Sequence, residues 1–223
     1  LNHEVKKLTD RLNSILLDSI KQTKELNKKF KTKADMIWLW SPSIPPKMPS
    51  FNNKFNMNGS VVAGLDFLRG LGEAARMESK EIRGATGYLD TNLKEKLKYA
   101  KNFLRNNDFL LVHYNATDEE SHAKNIDNKI QAIESFDKEI VGPLLEHLNQ
   151  NYNENFRIAI MPDHYTLVSN GQHLDIPVPY IFYGKGIQKD HVSSYSENEI
   201  KSNKAIKNYN LIDKLIEQPS PQL

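Results

Sequence analysis

The stretch DFLLVHYNATDEESH, residues 108–122, limits the folds open to this chain more than any other. It begins as an unbroken apolar run, the pattern of a strand covered on both faces, and such strands belong to parallel sheets flanked by helices. It then turns polar and sets Asp118 and His122 four residues apart, so a helical backbone projects both from one face. A second apolar run, Arg157 to Met161, ends in Pro162, Asp163 and His164. Gln172 and His173 follow, just before Pro177, Val178 and Pro179. Carboxylates and imidazoles at the ends of two buried strands are the hard oxygen and borderline nitrogen donors that a divalent metal ion needs.

The other elements are read around these two strands. Val5, Leu8, Leu12, Ile15 and Leu16 recur at helical spacing over residues 3–17, and Ile20 and Leu26 extend the stripe. Lys21, Lys24, Lys28, Lys29, Lys31 and Lys33 read as a solvated helix face. Residues 36–40 form a short strand candidate, and the prolines at 42, 45 and 46 require a loop after it. Residues 59–63 fit a strand or the entry to a helix, and Leu65, Leu68, Leu71 and Ala75 fit a helix. A short strand over 79–83, a loop over 84–92 and a helix over 93–104 lead into the strand at 109–115. One long helix is expected over 119–149, with Ile126, Ile130, Ile133, Phe136, Ile140, Leu144 and Leu148 along one face. Strands at 157–161 and 180–184 and a final helix from about Lys204 to Glu217 complete the chain. This alternation indicates an α/β fold, a largely parallel sheet with helices on both faces. It divides as a helical segment over 1–33, a metal-binding domain over 34–217 and a disordered tail over 218–223.

A chain of 223 residues is long enough for one well-cored domain or a large part of a larger protein. A net charge of +2 gives no argument for a nucleic-acid or membrane partner, and no apolar run is long enough to cross a bilayer. There is no cysteine, so a metal must be held by histidine and carboxylate. Leu1, Asn2 and His3 show neither an initiator Met nor a signal pattern, as in a fragment or a processed chain.

Each candidate ligand also has an ordinary reading. Thr117 through Glu120 fit a capping box, with Thr117 as N-cap and Glu120 reaching back. Asp163 and His164 fit a polar turn after a strand, and His173 alone fits a surface histidine. Together they supply two carboxylates and three imidazoles, which makes coincidence the weaker explanation. His3, His147 and His191 read as structural or solvated. His113, at the end of the first strand, is a candidate donor that orients a ligand.

Several blocks resemble one family. They are Ile37 to Trp40, GATGYLDTN at 84–92, Val112-His113 through Asp118–His122, Lys129 to Glu134, Pro162-Asp163-His164, and His173 through Tyr180. From about Val5 to Ile216 the chain resembles the C-terminal half of the archaeal-type cofactor-independent phosphoglycerate mutases of the alkaline phosphatase superfamily. The resemblance implies an alkaline-phosphatase-like fold whose N-terminal part is missing here. It also implies two divalent metal ions, with manganese first and zinc or magnesium compatible. By position, Asp118, His122 and His173 hold one ion, and Asp163 and His164 help hold the second. The nucleophilic serine is expected outside this chain, so the isolated chain is expected to be inactive.

The implied reaction is the glycolytic interconversion of 3- and 2-phosphoglycerate through a phosphoserine, in the cytoplasm. The implied partner is a small phosphorylated substrate, together with a companion N-terminal fragment or a second copy of the chain. Two departures accompany the match. Ser41-Pro42-Ser43-Ile44 stands where the family has Gly-Gln-Gly-Lys, and Asn115-Ala116-Thr117-Asp118 where it has Glu-Ala-Pro-Asp. They leave open a metal-dependent phosphatase of the same superfamily or a non-catalytic metal-binding homologue.

Overall fold

The structure, a computed structural model, describes residues 3–37, 47–201, 203, 205 and 211–216. Trp38 to Trp40 of the first strand candidate, and the proline loop after it, lie outside the described residues. Contacts divide the chain into two units, Leu1–Lys47 and Met48–Leu223.

The first unit is built on α1 (His3–Phe30). Its stripe residues Val5, Leu8, Leu12 and Ile15 are exposed. The helix stops where Lys31 takes a positive φ of 55°. Asn27 ties down the exit: its amide donates to the Ala34 carbonyl at 2.6 Å and its oxygen accepts from Ala34 N at 3.1 Å. Ser19 Oγ accepts from Ile37 N at 3.4 Å, so the chain runs back along the helix.

The second unit opens with α2 (Phe51–Phe55), capped by the Ser50 side chain. Then β1 (Gly59–Val62), α3 (Asp66–Ala74) and β2 (Glu78–Ser79) follow. After the loop come α4 (Leu93–Phe103) and β3 (Phe109–Val112). The three strands form a parallel sheet in the order β2-β1-β3, with Ser60 opposite Glu78 and Val62 opposite Val112. Parallel strands place their carboxyl ends on one side, where open α/β sheets carry their sites. Val62, Ile82, Ala100 and Phe103 form a buried cluster against which Leu110, Val112 and Leu144 pack.

β3 is not covered on both faces as its composition suggests. Leu111 is 41 % exposed, although Phe109 on the same face packs against Phe51 and Val61, opposite Leu111 in the ladder, is buried. The parallel arrangement is also smaller than expected. β4 (Arg157–Ile160) pairs antiparallel with β7 (Ile181–Gly184), apart from the trio. Between them lie only the hairpin strands β5 (Tyr165–Thr166) and β6 (His173–Leu174) and a proline-bearing loop. A parallel return needs a longer crossover, usually helical.

The long helix expected over 119–149 is interrupted. α5 (Ala116–His122) ends at Lys124, whose φ is 58°, and Asn125 caps α6 (Ile126–Phe136) by accepting from Asn128 N. A π-helical turn, Asp137–Val141, joins α6 to α7 (Gly142–Tyr152). Gly142 N donates to the Asp137 carbonyl, five residues back. Pro143 explains the turn: proline has no N–H, and its ring clashes with the carbonyl four residues before it in a regular helix.

The capping box at Thr117 does not form either. The helix begins earlier, with Asn115 as N-cap and its carbonyl accepting from Asp118 N and Glu119 N. Two short helices close the fold: α8 (Glu197–Ile200) and α9 (Leu211–Ile216). Arg157 Nη1 donates to the carbonyls of Leu215 and Ile216, which have no partner within α9.

Candidate metal centre

Asp118 and His122 share a face of α5, one turn apart, beyond the carboxyl end of β3. His173 reaches the same point from β6. His122 Nε2 and His173 Nε2 each lie 3.3 Å from Asp118 Oδ1, and 3.1 Å from one another. Among the described residues these three form the group whose donor atoms can converge on one ion.

The hydrogen bonds fix what these atoms present. His122 Nδ1 lies 2.7 Å from the Gly171 carbonyl oxygen, which can only accept. Nδ1 therefore carries the hydrogen, and in the neutral ring Nε2 offers a lone pair. That lone pair faces a carboxylate oxygen. A cation between them would hold two such acceptors 3.3 Å apart together, and the donor set fits a divalent metal.

Gly171 allows this arrangement. Its φ is +74°, and a Cβ there would lie 3.1 Å from the His122 carbonyl oxygen. Glycine meets both demands because it has no side chain.

Asp163 and His164 stand beside the triad without joining its convergent set. The His164 ring lies 3.9 Å, centroid to centroid, from that of His173. Asp163 Oδ2 is 3.4 Å from His164 Nε2 and Asp163 Oδ1 accepts from His164 N. An open groove runs from Asp163 and Tyr165 past Asp175 toward Tyr180 and Tyr195. His113 Nδ1 is buried and has no hydrogen-bond partner. Burial lowers its pKa, against the pull of Asp163 and Asp118.

A sequence model of the Metalloenzyme superfamily matches residues 7–211. The chain belongs to the Metalloenzyme superfamily.

Within this superfamily its relatives are consistent. It is 37 % identical over 198 residues to 2,3-bisphosphoglycerate-independent phosphoglycerate mutase 2 of Methanothermobacter thermautotrophicus, covering 86 % of this chain and 48 % of that protein. It is 34 % identical over 199 residues to a probable mutase of the same kind from Geobacter sulfurreducens, covering 88 % and 49 %. Among solved structures it is similar to the cofactor-independent phosphoglycerate mutase of Thermoplasma acidophilum, with a TM-score of 0.56 and 28 % identity over 77 % of this chain and 39 % of that one. This chain thus spans about half the length of the curated relatives it matches.

Other residues of this superfamily member shape the site without having stood out in the sequence. Lys96 of α4 is only 1 % exposed, and its Nζ donates to the His113 carbonyl at 3.4 Å and lies 5.7 Å from the Tyr114 ring centre. Burial pulls its pKa down to about 8. The GATGYLDTN loop is bonded to itself: Thr86 Oγ1 donates to Asp90 at 2.6 Å, Thr91 Oγ1 accepts from Thr86 N at 3.0 Å, and Asn92 caps α4. It abuts the metal side at Gly87, where a Cβ would lie 3.3 Å from Asn115 Nδ2. That amide donates to Glu119 at 3.0 Å, a bond an ionised glutamate at position 115 could not make.

Proposed function

We propose that this chain is the metal-holding C-terminal portion of a 2,3-bisphosphoglycerate-independent phosphoglycerate mutase. The reaction interconverts 3- and 2-phosphoglycerate through a phosphoserine, in the cytoplasm. The observation that carries the reading is the convergence of Asp118, His122 and His173, with the His122 lone pair facing the Asp118 carboxylate. Relatives named as such mutases support the substrate class.

Asp118, His122 and His173 hold one divalent ion, and Asp163 and His164 contribute to a second. Manganese suits these ligands, as do zinc and magnesium. When bound, the ions lower the pKa of a hydroxyl nucleophile and neutralise charge on the transferring phosphoryl group. The chain's own residues hold that geometry: Gly171 sets the His122 tautomer, and buried Lys96 places positive charge behind the His113 carbonyl.

On this reading the nucleophilic serine comes from outside these 223 residues. Ser121, beside His122, cannot serve, since it is buried and donates to the Thr117 carbonyl at 2.6 Å. No helix among the described residues is long and apolar enough to cross a membrane.

The test is the full-length protein with 3-phosphoglycerate and manganese, beside residues 1–223 alone. The full protein should form 2-phosphoglycerate, and residues 1–223 should bind manganese without turnover. Release of free phosphate would make the protein a phosphatase. No product from the full-length protein would count against catalysis altogether.

A further inference from the structure

We propose that Thr166 is a positioning residue that locks Asp118 and His164 into one geometry, through a single hydroxyl bonded to both. The inference rests on the metal-holding reading above and adds a residue to it.

Thr166 is buried, although it lies in a two-residue strand beside exposed ligands. Its Oγ1 lies 2.6 Å from Asp118 Oδ1, 48 positions away in sequence, and 3.2 Å from His164 Nδ1. Its backbone stands directly opposite His173 in the β5–β6 ladder. One residue therefore touches three of the five candidate ligands. A strand threonine usually satisfies its hydroxyl nearby, and here it reaches a different element instead.

The bookkeeping of hydrogens is strict. A threonine hydroxyl has one hydrogen, and an ionised carboxylate can only accept. At 2.6 Å that hydrogen goes to Asp118. The His164 contact then runs the other way, with His164 Nδ1–H donating to Thr166 Oγ1. In the neutral ring this leaves the lone pair on Nε2, and Nε2 lies 3.4 Å from Asp163 Oδ2. His164 therefore presents the same arrangement toward Asp163 that His122 presents toward Asp118. Partners of this kind fix a ligand's tautomer and ring orientation.

Thr166 is itself held. Lys129 Nζ, from α6, donates to the Thr166 carbonyl at 3.0 Å. That ammonium is half-buried and is attracted by Asp118 as well. The hydroxyl, the strand pairing and the lysine thus fix Thr166 from three directions. The sequence contained a signal for it: His164 and Thr166 are two apart, which puts them on one side of an extended backbone.

The experiment uses 15N-histidine-labelled protein at about pH 8, above the ordinary imidazole pKa of about 6.5. His164 is assigned from its loss in His164→Gln. Without metal, His164 should carry its hydrogen on Nδ1, and a hydrogen on Nε2 would overturn the proposal. Thr166→Val, which removes the hydroxyl and keeps the shape, should release that tautomer preference. It should also weaken manganese binding by about 10- to 100-fold. Thr166→Ser should restore both. A valine variant with wild-type tautomer and affinity would refute the role, as would a serine variant as impaired as valine. If the wild-type protein binds no divalent metal, the metal-holding reading fails, while the tautomer measurement still decides what Thr166 does.

Discussion

The Nε2 atoms of His122 and His173 lie 3.1 Å apart, although 51 positions of chain separate the two residues. Each is also 3.3 Å from Asp118 Oδ1. Nothing in either local sequence requires this. It arises because α5 starts at the end of β3 while the β5–β6 hairpin folds back over it. A divalent ion bound between them would attract all three atoms to one charge.

Manganese should therefore stabilise the fold. At a hundredfold excess over its dissociation constant the expected gain is about 2.7 kcal/mol. His122→Ala and His173→Ala should each remove most of that gain and lower the metal content found by elemental analysis. If the metal-dependent shift in denaturant midpoint survives both substitutions, the ion is held elsewhere.

Gly171→Ala should weaken both fold and site. The left-handed backbone costs an alanine about 1–2 kcal/mol. The added methyl would also press on the His122 carbonyl oxygen, 3.1 Å away. The expected result is a lower melting temperature together with weaker manganese binding. A variant that loses stability yet binds manganese as the wild type does would show that the Gly171 carbonyl does not orient His122.

Lys96 makes a prediction about pH. Its folded pKa of about 8 lies below its ordinary value of 10.5, so between these values the unfolded chain binds more protons. Stability should therefore rise with pH across that window, as the cost of burying the ammonium is relieved. The contribution is on the order of 3 kcal/mol. Lys96→Met should remove it, and tyrosines titrating in the same range cancel in the comparison. The check is urea unfolding of both proteins at about pH 7.5 and about pH 10.5. Equal slopes with pH in the two proteins would mean that Lys96 is solvated.

The sequence shows what local chemistry decides and hides what long-range packing decides. The strands at 109–112 and 157–160 were visible because their apolar runs are short and sharply bounded. Asp118, His122 and His173 are legible only as a set, since each alone also fits a cap, a turn or a surface position. The burial of Lys96 and the bond from Lys129 to Thr166 are hidden in the sequence, since a lysine in a helix ordinarily reads as surface. The antiparallel pairing of β4 with β7 was equally hidden, because pairing direction depends on the intervening path. The capping box at Thr117 is absent because the helix starts two residues earlier, at Asn115, whose side chain bonds Glu119 and caps no backbone N–H.

The wide turn at Asp137–Val141 changes the meaning of the apolar pattern on either side of it. Ala132 is fully buried, and Leu144 packs against the cluster around Val62. Twelve residues of unbroken α-helix would set them about 120° apart around the axis, on different faces. One surplus residue in the turn cuts this to about 20°. The turn is thus a phase corrector: it lets a helix whose Ile126, Ile130 and Ile133 face outward deliver Leu144 inward. A chain one residue shorter here would swing Leu144 out of the cluster and press the Pro143 ring on the carbonyl four residues before it, and no side-chain substitution elsewhere would restore its angle.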